Sequence, residues 1–292
     1  MTDEIKSISI RDKSYPKILK EIKDAPEVLY YRGELKEKEN CFAIVGTRRC
    51  SDYGKQIALE ISGDLSEAGL TIVSGLAPGI DTFSHTTAVE RNKRTIAVLG
   101  TGLDEKTIYP QTNLELAKNI LETGGALLSE YPAGTHGSKL TFPHRNRIVS
   151  GMSLGVLVIE AKEKSGSLIT ADFARKQGKK LFAVPGSVHS PNSWGPNWLI
   201  KKGFAKLAGN AEDILKELKI KTHSSGAGQK ILGETSEENL ILDVLKEGNL
   251  DIEKIIEKTK LPAATVASTV AILEIKGIIR NLGGNSYATN HS

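Results

Sequence analysis

Six short runs of consecutive apolar, β-favouring residues mark the first two thirds of the chain: Cys41-Phe-Ala-Ile-Val45, Thr71-Ile-Val-Ser74, Thr95-Ile-Ala-Val-Leu99, Ala126-Leu-Leu-Ser129, Gly155-Val-Leu-Val-Ile159 and Lys180-Leu-Phe-Ala-Val184. Their starts lie 24 to 31 residues apart, the length of one βα unit, and helix-patterned segments fill the gaps. Apolar residues on successive positions predict strands covered on both faces. The pattern therefore predicts an α/β fold built on a doubly wound, mostly parallel sheet. Such sheets take ligands outside the carboxyl ends of their strands, which points to the residues just after each run.

Before the first run, residues 1–40 hold a short helical piece around Tyr15-Pro-Lys-Ile-Leu-Lys-Glu-Ile22 and an extended Val28-Leu-Tyr-Tyr-Arg-Gly33, expected to pack against the edge of the sheet. Residues 41–218 form the core, closing on the helix pattern Ala211-Glu-Asp-Ile-Leu-Lys-Glu-Leu218. Residues 219–238, rich in Ser, Gly, Lys and Thr without a sustained apolar period, read as a linker. Residues 239–292 give three helical patterns (239–245, 251–256 and 262–273), then Ile278-Ile-Arg-Asn-Leu282, the turn Gly283-Gly284-Asn285 and Ser286-Tyr-Ala288. Three helices and a β-hairpin predict a small winged-helix domain, with Pro262 opening its third helix and Gly277 closing it.

Charge divides the chain in the same place. The 292 residues carry a formal net charge of +4, but residues 237–292, with six Lys/Arg against eight Asp/Glu, stand at −2, leaving +6 on the preceding 236. Cys41 and Cys50 offer neither a disulfide framework nor metal-ligand spacing, so two free thiols and no metal or cofactor are expected. The start Met-Thr-Asp-Glu-Ile-Lys has no apolar signal segment, and no run approaches the roughly 18 apolar residues that span a bilayer; a cytoplasmic protein with no membrane partner is expected.

The most informative stretch is Lys139-Leu-Thr-Phe-Pro-His-Arg-Asn-Arg-Ile-Val149, where Lys139, Arg145 and Arg147 surround Phe142 and His144 with no acidic residue among them. Cations neutralise phosphates, and a ring face stacks on an unpaired base at roughly 1–3 kcal/mol, a combination that duplex DNA rewards less. A solvated basic helix start is the plainer alternative. The first strand leads into Val45-Gly46-Thr47-Arg48-Arg49 and a helix near Ser51. Gly46 leaves room for a ligand, and free N–H groups at the helix start suit a phosphate contacted by Arg48. The loop is no Gly-x-Gly-x-x-Gly, and the second strand ends in Ser74-Gly75 without the acidic residue that would hold a ribose, so a dinucleotide is not expected.

In Ser74-Gly-Leu-Ala-Pro-Gly-Ile-Asp81 two glycines again permit close approach. Asp81 and His85, one helical turn apart, read first as a helix cap and a histidine bonded to nearby backbone, with an acid–base pair as the alternative. Glu130 and Glu160 close the fourth and fifth strands, where carboxylates can do acid–base work or position the neighbouring cations. Ser167, in Ser165-Gly-Ser-Leu-Ile-Thr170, forms a second candidate phosphate seat.

Taken in order, Tyr15-Pro16, Leu29-Tyr30 with Arg32-Gly33, Val45-Gly-Thr-Arg48, Ser74 to Asp81 with His85, Tyr109-Pro110, Ser129-Glu-Tyr-Pro132, Phe142-Pro-His-Arg-Asn-Arg-Ile148, Glu160-Ala161, Ser165 to Thr170 and Pro185-Gly186 resemble the DNA-processing protein A family, DprA or Smf. The likeness covers about residues 15–205 and most of the tail. It implies an extended Rossmann-like core that binds single-stranded DNA, protects it and helps load the RecA recombinase in natural transformation, commonly as a homodimer; no enzyme is expected, because no loop joins a phosphate cradle to a credible nucleophile or activated water. By the same resemblance Arg48, Lys139, Phe142, Arg145, Asn146 and Arg147 would contact DNA, with Gly46, Ser74, Gly75 and Ser167 lining the site. Two features depart from the family: the residues before Tyr15 cannot supply the helical domain with which many relatives begin, and Phe204 stands where a small residue usually follows Gly203.

Two rival readings belong to other classes. A phosphoribohydrolase of related fold would carry Pro-Gly-Gly-x-Gly-Thr-x-x-Glu where this chain has Lys164-Ser-Gly-Ser-Leu-Ile-Thr-Ala171, lacking both the glycines and the following Glu. A regulator reading DNA through the winged helix would need cations on its recognition helix, which offers no Arg and has Lys276 beside Glu274. A module for protein contact or dimer support is the better reading of the tail, with Val266, Val270 and Leu273 either its docking face or its own core.

Overall fold

The computed structural model describes residues 4–220, 233, 235–245 and 248–289. The chain folds as two units, Met1–Thr222 and His223–Ser292. The first opens with β1 (Lys6–Ser9), the short helix α1 (Lys17–Lys20) and β2 (Val28–Gly33). Strands and helices then alternate: β3 (Cys41–Val45), α2 (Asp52–Glu67), β4 (Thr71–Ser74), α3 (Ile80–Glu90), β5 (Thr95–Leu99), α4 (Leu114–Glu122), β6 (Ala126–Ser129), α5 (Thr141–Gly151), β7 (Gly155–Val158), α6 (Gly166–Lys176), β8 (Lys180–Ala183), α7 (Trp194–Lys201), β9 (Lys206–Leu207) and α8 (Ala211–Leu218).

Among the described residues nine strands form one sheet in the order β1-β2-β6-β5-β4-β3-β7-β8-β9. From β3 the chain lays β4, β5 and β6 to one side, then crosses back to place β7, β8 and β9 on the other, every neighbour parallel. The order reverses between β3 and β7, which opens a crevice at their carboxyl ends. The segment before β3 does more than lie against an edge. β2 bonds antiparallel to β6, and β1 to β2, so the segment extends the sheet by two strands.

Successive side chains on each strand enter opposite layers. Ala43 and Val45 join Val73, Val98 and Val158 beneath Ile148, Val149 and Met152 at α5, while Phe42 and Ile44 join Ile72, Leu157 and Phe182 beneath Ala58, Ile61 and Leu65 of α2. This double burial is the reason the runs are continuously apolar. Phe204, the departure noted in the sequence, packs edge-on against Trp198, and the Arg175 guanidinium lies 3.7 Å from its ring centre.

The second unit contains α9 (Ser236–Leu245), β10 (Leu250–Asp251), α10 (Ile252–Thr259), α11 (Ala263–Ile275), β11 (Ile279–Gly283) and β12 (Ser286–Thr289), the strands paired in the order β10-β12-β11. The expected linker falls outside the described residues at 221–232 and 234, and its last three residues, Ser236 to Glu238, are the first turn of α9. Gly277, at φ +67°, closes α11 as Ile278 N–H reaches back to the Leu273 carbonyl. Val266, Val270 and Leu273 pack against Ile241, Leu245 and Ile255 and are at most 1% exposed, so they are the unit's own core. Lys276 pairs with Glu238 at 2.8 Å across the helices. Among the described residues no helix is long and apolar enough to cross a membrane.

Candidate functional site

The loops after β3, β4 and β7, with α5, enclose a cavity of about 410 Å³ where the strand order reverses. Its β3 wall departs from expectation. Ser51 caps α2 by accepting from Gly54 N–H at 3.2 Å, while its own N–H and hydroxyl donate to the Glu160 carboxylate at 2.9 and 2.6 Å. Asn192 donates to the same carboxylate and to the Arg49 carbonyl, both at 3.2 Å, and Thr47 N–H donates to the Glu160 carbonyl at 2.7 Å. An internal carboxylate therefore occupies the helix start expected to be free for phosphate. Gly46 lines the cavity, but the side chain it lacks makes room for Ile80, not for a ligand. Arg48 and Arg49 remain exposed, and the Arg48 guanidinium lies over the Phe142 ring, 5.6 Å from its centre.

The loop after β4 folds back on Asp81, whose carboxylate accepts from Gly75 N–H at 3.1 Å and Ala77 N–H at 3.4 Å. Ser74, fully buried, donates its hydroxyl to the Ile44 carbonyl at 2.6 Å, so it holds the loop and does not line the cavity. The space above Gly75 is filled by Arg145, which donates to the Gly75 carbonyl at 2.8 Å and to the Val98 carbonyl. Burial pushes the Arg145 pKa down to about 10 with the Asp81 charge opposing, so the guanidinium stays charged at neutral pH. Burial raises the Asp81 carboxyl above its usual range, opposed by Arg145 and the loop N–H groups.

His85 bonds a side chain and not the backbone. Its Nδ1 lies 2.8 Å from Thr95 Oγ1, which donates its proton to the Ile72 carbonyl at 2.7 Å; Nδ1 therefore carries the ring proton and donates. Nε2 is buried and has no partner among the described residues. Burial, assisted by the Arg145 charge, pushes the imidazole down to about 3. The unfolded chain takes up this proton below about pH 6.5, and the folded one stays neutral until far lower pH. His85 should thus remove about 1.4 kcal/mol of stability between pH 7.5 and 5.5, the loss growing as pH falls. Asp81 acts in the opposite sense in acid. Urea unfolding of wild type and His85→Gln at both pH values isolates the histidine: an identical pH dependence in the two would show that the imidazole takes up its proton as readily in the folded chain as in the unfolded one.

Along α5 the residues at i, i+3, i+4 and i+7 from Arg145 (Ile148, Val149 and Met152) face the core, which carries the guanidinium inward with them. Arg147 does not join the cavity. Only 3% exposed, it forms an ion pair with Glu130 and lies 3.5 Å from Asp24, while His144 Nδ1 approaches the second Glu130 oxygen at 3.1 Å. Glu130 and Glu160 thus serve separate places, each holding neighbouring groups. Asn146 lines the cavity, accepting from Arg145 Nε at 3.1 Å and donating to the Gly166 carbonyl at 3.2 Å. Phe142 is half-buried against Gly100 and Gly137, its ring 5.5 Å from that of Tyr109. Lys139 is exposed in the loop before α5, outside the cavity lining.

The β7 wall supplies what sequence reasoning missed. Lys162 and Lys164 line the cavity and are exposed; the alternation Lys162-Glu163-Lys164 directly after a strand was the available signal. Ser165 caps α6 by accepting from Ser167 N–H at 3.4 Å, and the two hydroxyls lie 2.8 Å apart. A side-chain atom added at Gly166 would meet nothing, so the start of α6 stays accessible. Among the described residues no group of three His, Cys, Asp or Glu is placed to hold a metal.

Comparison with known proteins identifies the family. Residues 6–219 match the family described as DNA recombination-mediator protein A, and residues 226–285 match the DprA winged helix domain. The DNA processing protein DprA of Bacillus subtilis is 47% identical over 216 residues, 73% of this chain and 71% of that protein. Protein Smf of Escherichia coli is 45% identical over 210 residues, 72% of this chain and 55% of that protein. The X-ray structure of DprA from Streptococcus pneumoniae superposes with a TM-score of 0.68 at 44% identity, covering 74% of this chain and 75% of that one. DNA processing protein A from Helicobacter pylori, described for its single-stranded DNA binding mode, gives a TM-score of 0.66 at 32% identity over 76% of this chain and 100% of that one. With both domains matched in order and the parallel sheet and winged helix both in place, the chain belongs to the DprA/Smf family.

Proposed function

We propose that the chain binds single-stranded DNA along the crevice at the carboxyl ends of β3, β4 and β7, protects it, and as a homodimer helps to load the RecA recombinase onto it. The observation that carries the reading is the exposed Arg48 guanidinium stacked over Phe142 at a cavity also lined by Lys162 and Lys164. Cations beside an accessible ring suit phosphates and unstacked bases together. On this reading Arg48, Lys139, Lys162 and Lys164 meet phosphates, Phe142 meets a base, and Gly46, Gly75, Asn146 and Ser167 line the path. Arg145 and Ser74 act by holding the loop after β4, and Arg147 by holding Glu130 and His144 beside the crevice.

We read the chain as a binder and not an enzyme. Asp81 is bound by loop N–H groups, Glu160 by Ser51 and Asn192, and His85 lies beneath the surface, so none stands ready to activate a nucleophile. The winged helix is assigned to protein contact, since α11 bears no Lys or Arg and Lys276 is held by Glu238.

Gel-shift titrations with single-stranded and duplex DNA test the reading, and the single strand should bind more tightly. Deleting residues 222–292 should keep single-strand affinity within about tenfold, roughly 1.4 kcal/mol, because the net negative tail cannot supply the phosphate term. Lost binding in a truncated chain that remains folded would move the site off the sheet.

A further inference from the structure

We propose that Tyr109 is a second base-stacking residue, which carries the strand past Phe142 onto the loop after β5; this rests on the single-strand reading above. Tyr109 is 51% exposed, yet Thr107, Ile108 and Pro110 beside it are buried. Its backbone is fixed by Ile108 N–H to the Asp104 carbonyl at 3.2 Å, Asn113 N–H to the Pro110 carbonyl at 3.0 Å and the Gln111 side chain to the Ile108 carbonyl at 2.9 Å. A pinned loop that buries its neighbours and presents one ring keeps that ring outside at a cost in apolar exposure.

The ring's position gives the exposure a use. Tyr109 touches Phe142 with centroids 5.5 Å apart and planes at 44°, and Phe142 in turn lies under Arg48 at 5.6 Å. Guanidinium, phenyl and phenol thus form one continuous row leading out of the crevice. Two adjacent rings can take two successive bases whatever their sequence, since every base has a π-face. An exposed lysine lies three residues before each ring in the chain, Lys106 before Tyr109 and Lys139 before Phe142. In the same loop Glu105 pairs with Lys118 at 3.2 Å, and the Asp104 carboxylate is turned to Gly134 N–H at 2.7 Å and to the Thr107 hydroxyl.

The competing role for Tyr109 is to cover the edge of Phe142, and leucine separates the two, since it covers apolar surface but has no ring face. The full chain is titrated with an oligothymidylate of roughly twenty nucleotides carrying one 2-aminopurine, at several salt concentrations. Tyr109→Phe should bind within about twofold of wild type, because stacking needs the ring and not the hydroxyl. Tyr109→Leu and Tyr109→Ala should weaken binding by roughly 5- to 100-fold. Their slope of log affinity against log salt should be unchanged, since the ring neutralises no phosphate, and quenching of the 2-aminopurine should diminish. Wild-type affinity in Tyr109→Leu would overturn the stacking role and leave the crevice reading intact. Failure of the unsubstituted chain to bind the oligonucleotide would overturn both.

Discussion

Replacing Arg145 with alanine should lower the stability of the folded chain by roughly 3–5 kcal/mol, the cost of removing one member of a buried charged network. The guanidinium is 5% exposed and donates to two backbone carbonyls, Gly75 after β4 and Val98 in β5, and to Asn146. Its loss leaves those acceptors without water and takes from the buried Asp81 carboxylate the charge that offsets its desolvation. Arg145→Lys should recover less than half of the loss, because an ammonium keeps the charge but cannot fork to both carbonyls. Urea unfolding followed by circular dichroism measures the difference. A loss below about 1 kcal/mol would mean that the guanidinium is effectively solvated and would return Arg145 to the residues that meet the strand.

The second large effect concerns affinity. Arg48→Ala combined with Lys139→Ala should make the slope of log affinity against log salt shallower by about 1.4, at 0.7 for each phosphate contact on a single strand, and weaken binding about 25-fold at 0.1 M salt. Both side chains are exposed and lie outside the buried network, so stability should be nearly unchanged. Lys162 and Lys164 would still anchor the strand, which is why binding should weaken and not vanish. Titrations at four or more salt concentrations decide the matter: an unaltered slope with reduced affinity would assign the two residues a role other than phosphate contact.

The strands of the core were legible because burial on both faces leaves no polar position in Cys41–Val45 or Thr95–Ile96–Leu99 beyond the threonine and cysteine at their starts. The edges were harder to read. In β1 only Ile8 is buried, and both residues of β9 are exposed, so their strand geometry comes from the neighbours they bond and not from their own pattern. The carboxyl ends of the strands could be named as the ligand side, but the reversal of strand order between β3 and β7 emerged only in the fold.

The destinations of the arginines were less accessible. Arg48 and Arg145 are chemically identical, yet the first stands in solvent on the loop after β3, while the rotational phase of α5 carries the second into the space over Gly75. That phase was partly available, because Ile148, Val149 and Met152 share a helical stripe with Arg145. Arg147 needed a tertiary fact, its meeting with Glu130 at the end of β6. Likewise Glu160 could be placed at the end of its strand, but the seat it fills at the start of α2 could not be foreseen across 109 residues of sequence.

That seat has a bearing on how a strand would arrive. Through Glu160 and Asn192 the loops after β3 and β7 are tied to the segment leading into α7, so Arg48 and the lysines of the β7 loop spring from one hydrogen-bonded body. Such a body has little backbone freedom left to lose. The ordering entropy of association would then fall chiefly on the nucleic acid, and strands already extended would be favoured over those coiled into secondary structure of their own.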